Sequence, residues 1–244
     1  MPLQSIPIKV SLANLKATCS SCSLHELCLP MGLGADDTAR LDSLLDGRRQ
    51  RLRRGEYLYR AGDPFQSLYA IRNGFFKIVE SNAEGEEKII GFYMLGELMG
   101  MDAISTDQHQ YHAVALEDST VCEVPFNDLE KLASRLPALQ HHFHRLMSRE
   151  IMEEERHMLM LGGMKAEQRL AAFLLGLSQR FAKRGYSPSH FYLRMTREEI
   201  GNYLGLTLET VSRLFSRFQK DGLISVQHKD VEIKDPAALK RLRG

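Results

Sequence analysis

The apolar positions of this chain fall into two rhythms. Between residues 48 and 126 they come in short runs rich in β-branched and aromatic residues, bounded by Gly, Asp, Asn or Pro. The runs "EYLYRAGDP", "SLYAIRNGFFKIV", "EGEEKIIGFYML" and "STVCEVPF" predict strands joined by turns, and such a series predicts an all-β barrel or roll. From Leu129 onward the repeat lengthens to about 3.6, which predicts helices. Pro137 suits the first turn of a helix, and no Pro or Gly interrupts the pattern until Gly162-Gly163. At 1.5 Å per residue that helix would be roughly 35–40 Å long.

Within it, Met147, Ile151, Glu154, Met158 and Leu161 are spaced four, three, four, three. That is a heptad seam of the kind that packs against a partner helix. A helix burying this stripe in its own domain, with Glu154 at the edge, is the plainer alternative. In a parallel homodimer Glu154 would face its own twin, and two carboxylates near a two-fold axis repel unless one gains a proton or a donor. The seam would then be poised to separate.

The segment "MTREEIGNYLGLTLETVSRLFSRFQKDGLISV" carries denser information. Thr196 with Glu199 forms a capping box that starts a short helix through about Leu204. Gly205 supplies a sharp turn, and Thr207 caps a second helix to about Lys220. Ile200, Leu204, Leu206, Val211, Phe215 and Phe218 form the inward face, which leaves Glu209, Ser212, Arg213, Ser216 and Arg217 outward. This predicts a helix-turn-helix for double-stranded DNA. Arg213 can donate twice to guanine, Glu209 can accept from cytosine, and Ser212 can do either. Arg197, Arg217 and Lys220 suit phosphates, which fix register without reading sequence. "LISV", a turn at His228-Lys229-Asp230 and "VEI" then predict a β-hairpin wing.

Composition narrows the classes. A chain of 244 residues, 43% hydrophobic and 26% charged, is long enough to bury its own core. Its net charge of +1 means that DNA must be held by a local patch. No apolar stretch approaches the roughly 18 residues of a membrane span, and the N-terminus lacks the apolar run of a signal peptide. A cytoplasmic location is expected, where persistent disulfides are rare. No catalytic triad, metal-hydrolase motif or phosphate-cradling glycine loop is present, so the chain does not read as an enzyme.

Four cysteines remain to be explained: Cys19, Cys22 and Cys28 within "CSSCSLHELC", and Cys122 far downstream. A CxxC pair with a third thiol six residues on and a distant fourth suits either a Cys₄ zinc site or an iron–sulfur cluster, and spacing alone leaves the two level. A thiol switch is a looser possibility. A haem would instead draw on His25, His109 or His112, among nine histidines.

The stretch "REEIGNYLGLT", the "ETVSR" of Glu209 to Arg213 and "RFQKDGLI" closely resemble the recognition segment of the FNR (fumarate and nitrate reduction) regulators. These are oxygen-sensing members of the cyclic-AMP-receptor-protein superfamily. "AGDPFQSLYAIRNGFFK", "GFYMLGELMGMDAI", "VCEVPF" and "AEQRLAAFLLGLSQRFAKRG" extend the resemblance over almost the whole chain. It implies an α+β protein in four parts. These are a cluster-binding segment (1–35), a cyclic-nucleotide-binding-like β-roll sensor (36–136), a dimerisation helix (137–163) and a winged helix-turn-helix (164–244). It also implies a [4Fe-4S] cluster on Cys19, Cys22, Cys28 and Cys122, which promotes dimerisation without oxygen, and inverted TTGAT-type half-sites. On those sites Glu209 and Arg213 would meet the G·C pair and Ser212 the neighbouring thymine.

Oxygen would break the cluster, and repulsion at Glu154 would part the helices. The family commonly has aspartate where Glu154 stands. Turns near Asn73 and Glu84 to Glu87 are candidates for touching RNA polymerase. Cyclic-nucleotide binders follow Gly-Glu-Leu with an arginine that grips the phosphate. Here Gly96-Glu97-Leu98 is followed by "QHQYHAVALED", which has no arginine, so no cyclic nucleotide is expected.

Overall fold

The computed structural model describes residues 18–25, 27–82 and 84–243. The reading that no leader is present, and the first part of the 1–35 segment, fall on residues 1–17 and lie outside the described residues. The segment expected to begin the roll opens with a helix, α1 (Ala35–Leu45). Eight strands follow: β1 (Arg49–Leu52), β2 (Tyr57–Tyr59), β3 (Ser67–Asn73), β4 (Phe75–Ser81), β5 (Glu87–Met94), β6 (Leu98–Met99), β7 (His112–Ala115) and β8 (Ser119–Pro125). They form two antiparallel four-stranded sheets, ordered β1-β8-β3-β6 and β2-β7-β4-β5.

Alternation along the strands explains how three apolar layers are filled. Phe76, Ile78, Ile71 and Val121 point between the sheets with Leu58 and Ala113. Their neighbours Phe75, Val79, Ile89 and Phe92 face the other way, onto the C-terminal domain. Leu68, Ala70 and Val124 face the first sheet's outer side, under Leu29 of the cysteine loop, Leu41 of α1 and Leu139. Both faces of β3 and β4 are therefore covered, and their sequences read as nearly continuous apolar runs.

Helix α2 (Phe126–Ala133) begins three residues before the change of rhythm at Leu129. Helix α3 (Pro137–Gly163) has Pro137 in its first turn and runs through both glycines, as the pattern predicts. Its two ends are packed, and one side of its middle is held where Tyr93 donates to Glu150 and His157 meets the Tyr203 carbonyl at 2.9 Å. Leu139 and His142 near its start and Met160 near its end are buried, whereas Ile151 is 57% and Met158 65% exposed.

The C-terminal domain contains α4 (Ala166–Ala182), β9 (His190–Tyr192), α5 (Arg197–Leu204), α6 (Leu208–Lys220), β10 (Ile224–Gln227), β11 (Asp230–Ile233) and α7 (Pro236–Arg243). The wing is a three-stranded sheet, β10-β11-β9. Strand β9 and helix α7 extend beyond the predicted hairpin. Among the described residues no helix is long and apolar enough to cross a membrane.

Candidate metal centre and DNA-reading face

The cysteine loop is a chain of tight turns rather than a regular element. Cys22 N–H donates to the Cys19 carbonyl at 3.1 Å, His25 N–H to Cys22 at 3.1 Å and Cys28 N–H to Leu24 at 3.0 Å. Buried Leu24 and Leu29 pin it to the roll. Asp42 on α1 holds its start, accepting from the Cys19 N–H and from the Ser20 hydroxyl at 3.1 Å. Leu27 and Leu24 lie against Gly96, whose φ of +82° strains any side chain and where an added Cβ would come within 3.3 Å of Leu27. Cys122 is supplied independently, from the middle of β8, paired with Arg49 on β1 and Ala70 on β3.

All four cysteines line one cavity, whose wall is otherwise mostly Leu24, Leu29, Leu45, Ala70 and Ile71. Burial pushes the Cys28 thiol up to about 12, with Cys122 and Cys22 adding to the rise. Burial likewise raises Cys19, assisted by Asp42, Cys28 and Cys122. Cys122 is raised by burial, against the lowering effect of Arg49 and Arg72. Arg72 lines the same wall and Arg49 reaches Cys122, but holding several thiolates in so apolar a space takes a further cation, and thiolate sulfur selects soft metals. Among the described residues, no three His, Cys, Asp or Glu side chains gather around a single ion position. A [4Fe-4S] cluster would not ask for that, because it takes each thiolate on a different iron.

One residue that sequence reasoning missed joins this loop to α3. His142, fully buried, places Nε2 3.0 Å from the Cys28 carbonyl. A carbonyl only accepts, so Nε2 carries the proton and donates. Burial keeps the ring's pKa below the ordinary histidine value, against the opposing effect of that carbonyl. The haem candidates do not come together. His25 lines the cysteine cavity, His109 stacks on Tyr59 at 3.7 Å, and His112 Nδ1 accepts from Ala61 N–H at 3.2 Å.

At the other end, the capping box forms as predicted. Thr196 Oγ1 accepts from Glu199 N–H at 3.1 Å and Glu199 accepts from Thr196 N–H at 2.8 Å. Gly205 takes the left-handed conformation that the turn requires, with φ +64°. Thr207 caps α6 by accepting from Thr210 N–H at 3.2 Å. Ile200, Leu204, Val211, Phe215 and Phe218 are buried, and Leu206 is partly buried against them. Glu209, Ser212 and Arg213 share the exposed face of α6. Hydrogen bonds from its own N–H and from Thr207 hold the Glu209 carboxyl below its usual range, so it is ionised and accepting.

Of the three residues expected to meet phosphates, Arg197 and Arg217 are engaged within the chain, and Lys220 is exposed at the end of α6. Arg197 lies 3.2 Å from the centroid of the Phe215 ring, and burial lowers its pKa to about 10. Arg217 pairs with Glu167 at 2.7 Å.

The reader and sensor are clasped by polar contacts that no local pattern announces. Asn202 of α5 accepts from Ile89 N–H at 2.6 Å and donates to the Glu87 carbonyl at 2.8 Å. Lys77 pairs with Glu199 at 3.0 Å. Glu97, beside Gly96, receives Arg180 near the end of α4 at 2.5 Å and Arg184, just past that end, at 2.7 Å. Arg169 ties the end of α3 to α5, donating to the Leu161, Met164 and Leu204 carbonyls at 2.7, 2.9 and 3.0 Å. On the exposed middle of α3, the seam residues Ile151, Glu154 and Met158 are uncovered, and Met147 and Leu161 are half-buried.

Comparison with known proteins agrees with this architecture. Residues 49–135 match the cyclic nucleotide-binding domain and residues 168–242 the Crp-like helix-turn-helix domain. The chain is 47% identical over 236 residues to the transcriptional regulatory protein btr of Bordetella pertussis, covering 97% of each. It is 47% identical to the fumarate and nitrate reduction regulatory protein of Yersinia pestis, over all of this chain and 97% of that one. The transcriptional activator Anr of Pseudomonas protegens is 46% identical, over 98% of each chain. The solved structure of FixK2 from Bradyrhizobium japonicum superposes with a TM-score of 0.74 at 28% identity, covering 80% of this chain and 96% of that one. A β-roll, a long helix and a winged reader, matched end to end by these relatives, place the chain in the FNR (fumarate and nitrate reduction) family of CRP-like DNA-binding transcription regulators, which are not enzymes.

Proposed function

We propose that this protein is a cytoplasmic, oxygen-responsive regulator in which a [4Fe-4S] cluster on Cys19, Cys22, Cys28 and Cys122 governs dimerisation and DNA binding. The observation that carries this reading is the convergence of three loop cysteines and one sheet cysteine on a single apolar cavity. The cluster supplies an oxygen-labile crosslink between the loop and β8.

The chain's own residues do the rest. Asp42 and Leu29 hold the docked loop on the roll, and Leu139 at the start of α3 packs in the same apolar layer. Helix α3 then offers Met147, Ile151, Glu154, Met158 and Leu161 to a second copy as a homodimer seam. Two readers so paired place Glu209, Ser212 and Arg213 on inverted TTGAT-type half-sites about one DNA turn apart. Arg197 and Arg217 would exchange Phe215 and Glu167 for phosphates. Loss of the loop's anchor frees the start of α3, the facing Glu154 carboxylates drive the seam apart, and single readers lose the advantage of acting together.

RNA polymerase is the further partner, at the turns near Asn73 and Glu84. Cyclic nucleotides fall outside this reading, because the stretch "QHQYHAVALED" after Gly96-Glu97-Leu98 offers no arginine to neutralise a phosphate. Protein purified without oxygen should be brown, with about four iron and four sulfide per chain. A colourless preparation carrying one zinc and indifferent to air would defeat the proposal.

A further inference from the structure

We infer that His142 is a positioning residue for the metal centre, setting the Cys28 carbonyl and through it the direction of the third thiol of the loop. It deepens the iron–sulfur reading above and rests on it.

Helix α3 buries three side chains, and His142 is the polar one. It is completely enclosed, in the layer shared by Leu29, Leu41 and Leu139. One ring nitrogen meets the Cys28 carbonyl at 3.0 Å, while Nδ1 has no hydrogen-bond partner among the described residues. An unmatched buried nitrogen is costly, and a leucine or phenylalanine there would carry no such cost. The one bond that a histidine makes there, and a leucine could not, is the bond to the Cys28 carbonyl.

The bond's target supports this. The Cys28 carbonyl already accepts from Met31 N–H at 3.1 Å, so His142 fills its second lone pair. With both occupied, the peptide plane after Cys28 is fixed from two sides, once by the loop itself and once by α3. The same bond places a thiol-bearing residue of the sensor on the helix that carries the dimer seam.

Three substitutions separate positioning from filling space. His142→Gln puts an amide N–H where Nε2 stands, His142→Asn puts it where Nδ1 stands, and His142→Leu supplies none. Two readouts apply to the full chain. In iron-free protein, amide exchange across residues 27–31 should rise about tenfold in the Leu and Asn variants and stay near the unsubstituted rate in Gln. In anaerobic, iron-loaded protein, loss of visible absorption after a pulse of air should accelerate about tenfold in the same two and be rescued by Gln.

Three variants indistinguishable from the unsubstituted protein would overturn the inference. So would three variants altered alike, which would make His142 a packing residue. A preparation that takes up no iron would instead overturn the functional reading, and the exchange arm would still decide His142.

Discussion

Glutamate 97 is the sharpest test of how the sensor holds the reader. Its Oε1 accepts from Arg180 Nε at 3.0 Å and Arg184 Nη2 at 2.7 Å. Its Oε2 accepts from Arg180 Nη2 at 2.5 Å and Met94 N–H at 2.9 Å. In Glu97→Gln one of these oxygens becomes an NH₂ group facing donors, and two guanidinium groups lose their counter-charge. Removing one partner of a buried pair costs about 3–5 kcal/mol. The side chains of Glu97 and Arg180 are 24% and 29% exposed, so solvent reduces the expected loss to about 2–3 kcal/mol. At about 2–4 °C per kcal/mol for a chain of this size, the unfolding midpoint of iron-free protein should fall by about 5–10 °C.

Burial alone would raise the Glu97 pKa, but Arg180, Arg184 and the Met94 N–H bring it below the ordinary 4.5. Its stabilising contribution is therefore fully present above pH 4.5 and is lost as pH falls through the folded-state value. The difference between variant and unsubstituted protein should shrink correspondingly in acid. A midpoint at pH 7.5 lowered by less than 2 °C, or a difference that grows on acidification, would refute the clasp.

Glu150 should behave oppositely. Burial raises its pKa to about 7, with Glu97 and Glu154 adding to the rise and the Tyr93 hydroxyl opposing it. It therefore weakens the fold as pH climbs from about 4.5 to 7, and Glu150→Gln should stabilise by about 2–3 kcal/mol at pH 8 and by nothing at pH 4 in urea titrations. Arg213→Ala should relax discrimination at one base pair by about 1–3 kcal/mol, measured on matched and single-mismatch duplexes; equal losses on both would contradict base reading. Glu154→Ala should tighten the dimer in air about tenfold by sedimentation, and unchanged aerobic dimerisation would remove Glu154 from the switch.

Local pattern carried the reader well. Capping box, turn glycine and second cap are each encoded within four residues, and Thr196, Gly205 and Thr207 form as their spacing dictates. The bounds of α3 were legible for the same reason, since Pro137 opens it and the apolar rhythm carries it to Gly163. Helix α1 was not, because its eleven residues bury only Thr38 and Leu41 and no side-chain cap at Gly34 marks its start. The clasp was invisible because its partners lie 83 to 122 residues apart, as in Glu97–Arg180 and Lys77–Glu199. Asp42 and His142 were hidden likewise, being single polar residues whose loop partners lie 22 to 114 residues away. The contacts of Arg197 and Arg217 within the chain were hidden too, because nothing local reveals Phe215 beneath one and Glu167 beside the other.

The central claim is that metal held by Cys19, Cys22, Cys28 and Cys122 controls whether two copies of α3 stay together. Sedimentation of one anaerobic preparation, before and after iron removal and with a labelled palindromic duplex present, tests it directly. The account predicts dimers on DNA when iron is bound, and monomers with at least tenfold weaker binding once it is removed. Iron-free protein that remains dimeric and holds the palindrome equally well would contradict it.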